Sequence, residues 1–170
     1  LVIGSGIAGL SAALAAAENK NLEVLVLAKE SLEESATRWA QGGIAAVILP
    51  ERTGDSLAAH TEDTIRVASG LSNEDNLQIL VAEGVERVRE LVELGAEFDR
   101  DAEGELQLTR EGAHSYERIL HRGDTTGQEI ARALIAAAAQ QENIFCRPGS
   151  FAIDLLDREG VCIGALMANK

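Results

Sequence analysis

Basic side chains are scarce in this sequence. Lys and Arg total 15 against 28 Asp and Glu, leaving a formal net charge of -13 over 170 residues. A nucleic-acid surface needs a basic patch, so that class of partner is excluded, and the surplus acids read as a solvated surface. Long apolar runs are missing too: the longest, such as "IAGLSAALAAA", fall well short of the ~20 residues that span a bilayer, so no membrane association is expected. No basic start with a small-residue cleavage site is visible, and no signal peptide is expected. Cysteine is limited to Cys146 and Cys162, which form no CxxC and have no histidine cluster nearby. Both lie in apolar runs and are expected to be buried free thiols, consistent with a cytoplasmic location rather than a disulfide or metal pair. Repeats and low-complexity tracts are absent. The chain opens inside one apolar run, "LVIG", and closes on another, "VCIGALMA". Whole domains usually begin and end in polar segments, so a piece of a longer protein is expected.

What is present has α/β character. "LVIG" reads as a buried strand, "IAGLSAALAAAE" as a small-residue helix able to pack closely on a sheet, and "LEVLVLA" as a second strand. Together they make a β-α-β unit with parallel strands. Asp55 or Ser56 caps a helix ending before Gly70. Ser72, with Asp75 three residues on, starts the next, which runs towards Gly95 with an interruption at Gly84. Thr126 and Glu129 form a capping box for "GQEIARALIAAAAQQ". "NIFCR", "FAIDLLD" and "VCIGALMA" read as three strands, the last two joined by a turn at Arg158 to Gly160. No linker-like stretch divides the chain, so one α/β domain, or part of one, is expected.

The first chemistry lies in "GSGIAG", which puts Gly4, Gly6 and Gly9 in the G-x-G-x-x-G spacing. Between a strand and a helix of a β-α-β unit, that spacing signals dinucleotide binding. Gly4 permits the tight turn, Gly6 a close approach to a pyrophosphate, and Gly9 close packing of helix on strand. The helix N-terminus offers free N–H groups and partial positive charge. The acid that usually ends the second strand is missing: that position is Ala28, followed by Lys29. The adenosine half is therefore expected to be held by Lys29 and backbone groups.

The second is "SATRWAQGGIAAV". Gln41-Gly42-Gly43 gives a backbone able to approach a planar ring, with an amide that donates and accepts, although a plain glycine turn accounts for it equally well. Taken with Lys29, this stretch resembles the flavoprotein family of succinate dehydrogenase, fumarate reductase and L-aspartate oxidase. The likeness continues through "DSLAAHTEDTIRVASGLSN", "LGAEFD", "LTREGAHSYERILHRGDTTG" and the terminal strands. Within that family, "LTREGAHS" followed by "RILH" and D-x-T-G is most similar to the aspartate-oxidising branch.

The resemblance implies a Rossmann-like FAD-binding domain over residues 1–170, incomplete, with the rest of that domain, a capping domain and a C-terminal helical domain lying elsewhere. FAD contacts would fall on Gly4, Ser5, Gly6, Ile7, Ala8 and Gly9, on Lys29, and on Ala36, Thr37, Arg38, Trp39, Ala40, Gln41, Gly42 and Gly43. A looser match places Ala152 beside the adenine. Respiratory members carry a histidine in S-H-T that bonds covalently to the flavin. Here Ser35-Ala36-Thr37 stands instead, so the resemblance implies non-covalent FAD; Ala36 also lacks the hydroxyl that aspartate oxidases typically place there. The implied reaction oxidises L-aspartate to iminoaspartate, with oxygen or fumarate as acceptor, as the first step of quinolinate and NAD biosynthesis. L-Aspartate and fumarate are the implied small-molecule partners, and a quinolinate synthase the implied consumer of the product. The family's proton-transferring arginine and dicarboxylate-binding histidines lie outside this sequence, so no catalytic residue is assigned. A soluble fumarate reductase or succinate oxidase, and a non-catalytic dinucleotide-binding module, remain as alternatives.

Glu111, in "LTREGAHS", is the one substrate residue assigned. Taken alone it reads as half of a solvated ion pair. Aspartate differs from succinate by an ammonium group, which calls for an anion, and the resemblance gives Glu111 that role. His60 reads as a solvated or partly buried structural residue. His114 and His121 share a helix face, with no ligand spacing for a metal. Arg118 and Arg122 form a solvated face or pair with nearby acids. Trp39, the sole tryptophan, packs beside the flavin or fills the core.

Overall fold

A computed structural model describes residues 1–169. In chain order the elements are β1 (Val2–Ile3), α1 (Ile7–Ala17), β2 (Val24–Leu27), β3 (Ile44–Ala45), α2 (Pro50–Thr53), α3 (Leu57–Ala68), α4 (Glu74–Glu93), β4 (Leu108–Thr109), β5 (Ile119–Leu120), α5 (Thr126–Ala139), β6 (Ile144–Arg147), β7 (Ser150–Arg158) and β8 (Val161–Asn169). They fall into two compact units. Gln41–Thr126 forms one, inserted into the other, which is made of Leu1–Ala40 and the chain from Gly127 onward.

The outer unit is the expected α/β architecture. β1 and β2 pair in parallel, Val2 opposite Val26 and Ile3 opposite Leu27. β6 then joins the other edge of β2, also parallel, from Val24 opposite Ile144 to Leu27 opposite Arg147. The alanine-rich sequence of α1 lets it lie close to this sheet. Leu10, Ala13 and Ala17, spaced three and four apart on one helical face, are buried with Val24, Val26 and Leu27 of β2. On α5 the same spacing buries Ile130, Ala133, Leu134 and Ala137. β7 and β8 form an antiparallel hairpin. Its turn places Glu159 at φ 53° and Gly160 at φ 79°, the left-handed pair that matches the twist of flanking strands.

The inserted unit holds a three-stranded antiparallel sheet with β5 between β3 and β4, none of whose two-residue strands the sequence pattern reveals. α3 is capped by Ser56, whose hydroxyl accepts from the Ala59 N–H at 3.1 Å. α4 buries Leu77, Val81, Val88 and Leu91 along one face. Its cap is Asn73, which accepts from the Asn76 N–H at 2.9 Å, and not Ser72 one residue earlier. Gly84 does not interrupt the helix, since the amphipathic pattern on either side keeps it in register.

Other expectations are also corrected. Thr126 is the first residue of α5 rather than its cap; its hydroxyl accepts from the Arg122 N–H at 2.9 Å, and Glu129 binds Arg132. Both cysteines are exposed. Their apolar neighbourhoods do not bury them, because the neighbours Phe145, Val161 and Ile163 are themselves about half exposed or more. His114 and His121 lie outside helices.

Candidate functional site

In the outer unit the site begins at the turn after β1. Gly4 has φ 106°, a conformation that side chains disfavour, and its N–H donates to the Leu27 carbonyl at 2.8 Å. A Cβ at Gly9 would overlap the Gly4 carbonyl, so only glycine lets α1 start this close to the turn. Gly6 caps α1 without a side chain, and the first helical turn carries no acid. The end of the macrodipole is therefore not neutralised from within. Ser5 is buried, Ile7 and Ala8 are exposed, and the Ile7 N–H donates to Thr37 Oγ1 at 2.9 Å.

Thr37 thus ties the "SATRWA" segment to the turn, and a Cβ at Gly6 would lie 3.3 Å from its hydroxyl. Ser35 Oγ is buried without a partner among the described residues. A glycine cradle, an N-terminus without an internal anion and an unsatisfied hydroxyl together fit a phosphate-bearing cofactor. Ala36 is exposed and offers no nucleophile. Trp39 is 66% exposed, so it does not fill the core; its indole N–H donates to Glu34 at 3.0 Å and Arg38 lies over its ring at 5.4 Å. The Ala40 carbonyl accepts from the Gly127 N–H at 2.9 Å. Lys29 is exposed, with Nζ 5.3 Å from the centroid of the Phe151 ring. Ala152, next to Phe151 on β7, pairs with Met167 of β8.

In the inserted unit, Gln41, Gly42 and Gly43 are exposed and lead into β3. Both carboxylate oxygens of Glu111 lie 3.8 Å from the position a Cβ at Gly42 would take. No ion pair joins Glu111 to Arg110 or to any other cation among the described residues. A cleft of about 480 Å³ is lined by Gln41, Gly42, Thr109, Glu111, His121, Gly123 and Asp124. Two carboxylates face it, and no Lys or Arg among the described residues does.

His121 and Asp99 are the residues that sequence reasoning missed here. Asp99 accepts from the Gly123 N–H at 2.7 Å and lies 3.0 Å from His121 Nδ1. The Gly123 hydrogen bond, helped by His121 and Arg122 and opposed by burial, holds Asp99 below the usual carboxylate range. The only trace in the sequence is that each follows a buried apolar residue, Phe98 or Leu120.

Elsewhere in the inserted unit Arg118 is fully buried. It donates to both oxygens of Asp55, at 2.8 and 2.6 Å, and to Asp63 at 2.8 Å. Its second alternative, pairing with acids, therefore holds, and the solvated face does not. Arg122 is exposed and pairs with Glu97 and Asp99. Burial opposes ionisation of Asp63, but Ser115, Arg118 and Arg66 outweigh it and hold its carboxyl far below the usual range. His60 is buried, its ring 5.8 Å from that of His114. Burial, with Arg118 and His114 behind it, pushes His60 below its ordinary value.

Comparison with known proteins agrees with this geometry. The whole chain, residues 1–170, matches the family described as FAD binding domain. It is 46% identical to the chloroplastic L-aspartate oxidase 2-b of Nicotiana tabacum over 91% of this chain and 23% of that protein. It is 43% identical to L-aspartate oxidase of Streptomyces coelicolor over 98% of this chain and 28% of that one. The chain thus spans roughly a quarter of the relatives it matches. Among solved structures, the Mycobacterium smegmatis Sdh1 complex superposes with a TM-score of 0.91 at 32% identity, covering 99% of this chain and 30% of that one. E. coli quinol fumarate reductase does so with a TM-score of 0.91 at 29% identity, covering 97% and 28%. The glycine cradle, the parallel sheet and these matches together place the chain in the FAD-binding flavoprotein family that includes L-aspartate oxidase and fumarate reductase, with FAD as its cofactor.

Proposed function

We propose that this chain is the FAD-binding part of an enzyme that oxidises L-aspartate to iminoaspartate. The observation that carries this reading is the placement of Glu111: a carboxylate with no ion pair among the described residues, beside the Gly42 backbone in a cleft that no described Lys or Arg lines. A succinate-oxidising site has no need of an anion there, whereas an ammonium group does. FAD, when bound, supplies the hydride acceptor and passes the electrons on to oxygen or fumarate. The chain's own residues bind and orient. The turn from Gly4 to Gly9, with Ser35 and Thr37, holds phosphate. Glu111 holds the substrate's amino group. The product feeds the quinolinate branch of NAD synthesis through a quinolinate synthase, and the cytoplasm is the proposed location, supported by the two unpaired cysteines.

Glu111→Gln in the full-length enzyme tests the reading. A charge-assisted hydrogen bond contributes about 1.5–3 kcal/mol, so kcat/KM for L-aspartate should fall roughly ten- to a hundredfold. Fumarate reduction should be largely spared, because fumarate has no amine. Equal losses on both would assign Glu111 to the fold or the flavin, and no loss on either would return it to solvent. Ala36 offers no atom for a covalent link, so acid precipitation of the holoenzyme should release its FAD into the supernatant. Flavin retained by the precipitated polypeptide would contradict this.

A further inference from the structure

The Glu111 cleft has a second polar group poised on it. His121 is 18% exposed, and its Nε2 is buried with no hydrogen-bond partner among the described residues. Its other ring nitrogen is fixed, because Nδ1 lies 3.0 Å from Asp99 Oδ2. Asp99 is itself held ionised by the Gly123 N–H at 2.7 Å and by Arg122. An ionised carboxylate can only accept, so Nδ1 is the protonated nitrogen that faces it, and Nε2 is the ring nitrogen left to accept. A buried acceptor without a donor is costly unless a ligand supplies one. The other charged groups around the ring are Glu111 and Asp124 in the cleft, and Arg122, which is shared between Asp99 and Glu97. The charge lining the cleft is thus acidic, which suits a cationic donor and repels a carboxylate.

We propose that His121 is a second amine-binding residue of this cleft: Asp99 sets its ring through Nδ1, and Nε2 accepts a hydrogen bond from the ammonium group that Glu111 orients. The inference rests on the aspartate-oxidase reading and deepens it. It makes amine recognition a two-point contact, which fixes the direction of the C–N bond where a single carboxylate fixes only its position.

The test uses full-length, FAD-loaded protein and two ligands that cannot be turned over as amine substrates. α-Methyl-L-aspartate carries the ammonium but no Cα hydrogen, and succinate carries no ammonium. Binding is read from the perturbation of the flavin absorbance. His121→Phe should weaken α-methylaspartate roughly tenfold or more and leave succinate unchanged. His121→Gln, whose amide oxygen can stand near Nε2, should keep most of the affinity. His121→Leu serves in place of the Phe variant if that one loses flavin. Unchanged α-methylaspartate affinity in both variants would overturn the proposal and assign Nε2 to a water. Equal weakening of both ligands would overturn it in favour of a structural role. If wild type turns over no L-aspartate and binds α-methylaspartate no better than succinate, the functional reading itself fails. If wild type passes and only the variants behave otherwise, this inference alone fails.

Discussion

Two buried groups in the inserted unit set how the protein responds to acid. His60 is pushed below its ordinary 6.5 by burial, so the unfolded chain takes up a proton that the folded one refuses. Stability is therefore lost as pH falls below about 6.5. Asp63 is depressed from 3.8. Its contribution is complete above that value and is lost only as pH falls through it and below. Urea unfolding midpoints should accordingly drop in two stages, one between pH 7 and 5 and a steeper one below pH 4. His60→Gln should remove the upper stage and spare the lower; a wild-type midpoint that is flat from pH 7 to 5 would refute the assignment. Asp63 could not be read from sequence, and His60 only as a structural residue, solvated or partly buried. Asp55 and Asp63 meet Arg118 from far along the chain, and no local pattern distinguishes a buried arginine from a solvated one.

At the scale of the element, helix α4 separates what is legible from what is not. Its apolar face follows the helical period and was plain in the sequence. Its start was misplaced by one residue: Ser72 was expected to open it, and the structure puts the cap at Asn73. Asn73→Ala should destabilise by about 1 kcal/mol, and Ser72→Ala by a few tenths at most. Equal effects in thermal unfolding would show that the cap is shared. The β-α-β unit and its glycine turn were legible for a different reason: strand, turn and helix are contiguous there, so local pattern and final structure coincide. The strands β3, β4 and β5 are only two residues long, too short for alternation to register. The antiparallel pairing of β4 with β5 aligns Thr109 with Ile119, so Glu111 lies beyond one end of this short ladder and His121 beyond the other. That both line one cleft depends on how the segments beyond the two ends fold back, which no local pattern reveals.

For the molecule as a whole, the hairpin of β7 and β8 is the feature least able to stand alone. Phe151, Ile153, Leu155, Val161 and Ile163 are all about half exposed or more, and a two-stranded ribbon with bare apolar faces is marginal in water. The 170-residue chain expressed by itself should therefore self-associate and retain FAD poorly, with no oxidation of L-aspartate. Light scattering and flavin absorbance after gel filtration would check this. A monodisperse, yellow preparation that makes hydrogen peroxide from L-aspartate would contradict it.

The hydrogen bond from the Gly127 N–H to the Ala40 carbonyl marks the place where the chain leaves the outer unit and re-enters it. A Cβ at Gly127 would overlap the Thr37 carbonyl, so this junction is drawn tight by the absence of a side chain. During synthesis it imposes a wait. β2 is made early, but its partner β6 follows only after the whole of Gln41–Thr126, a delay on the order of ten seconds at ribosomal speeds. Over that interval the valine and leucine edge of β2 is open to any other strand. The closer the two stems are held once the insertion has folded, the smaller the loop entropy that β6 must overcome to claim that edge.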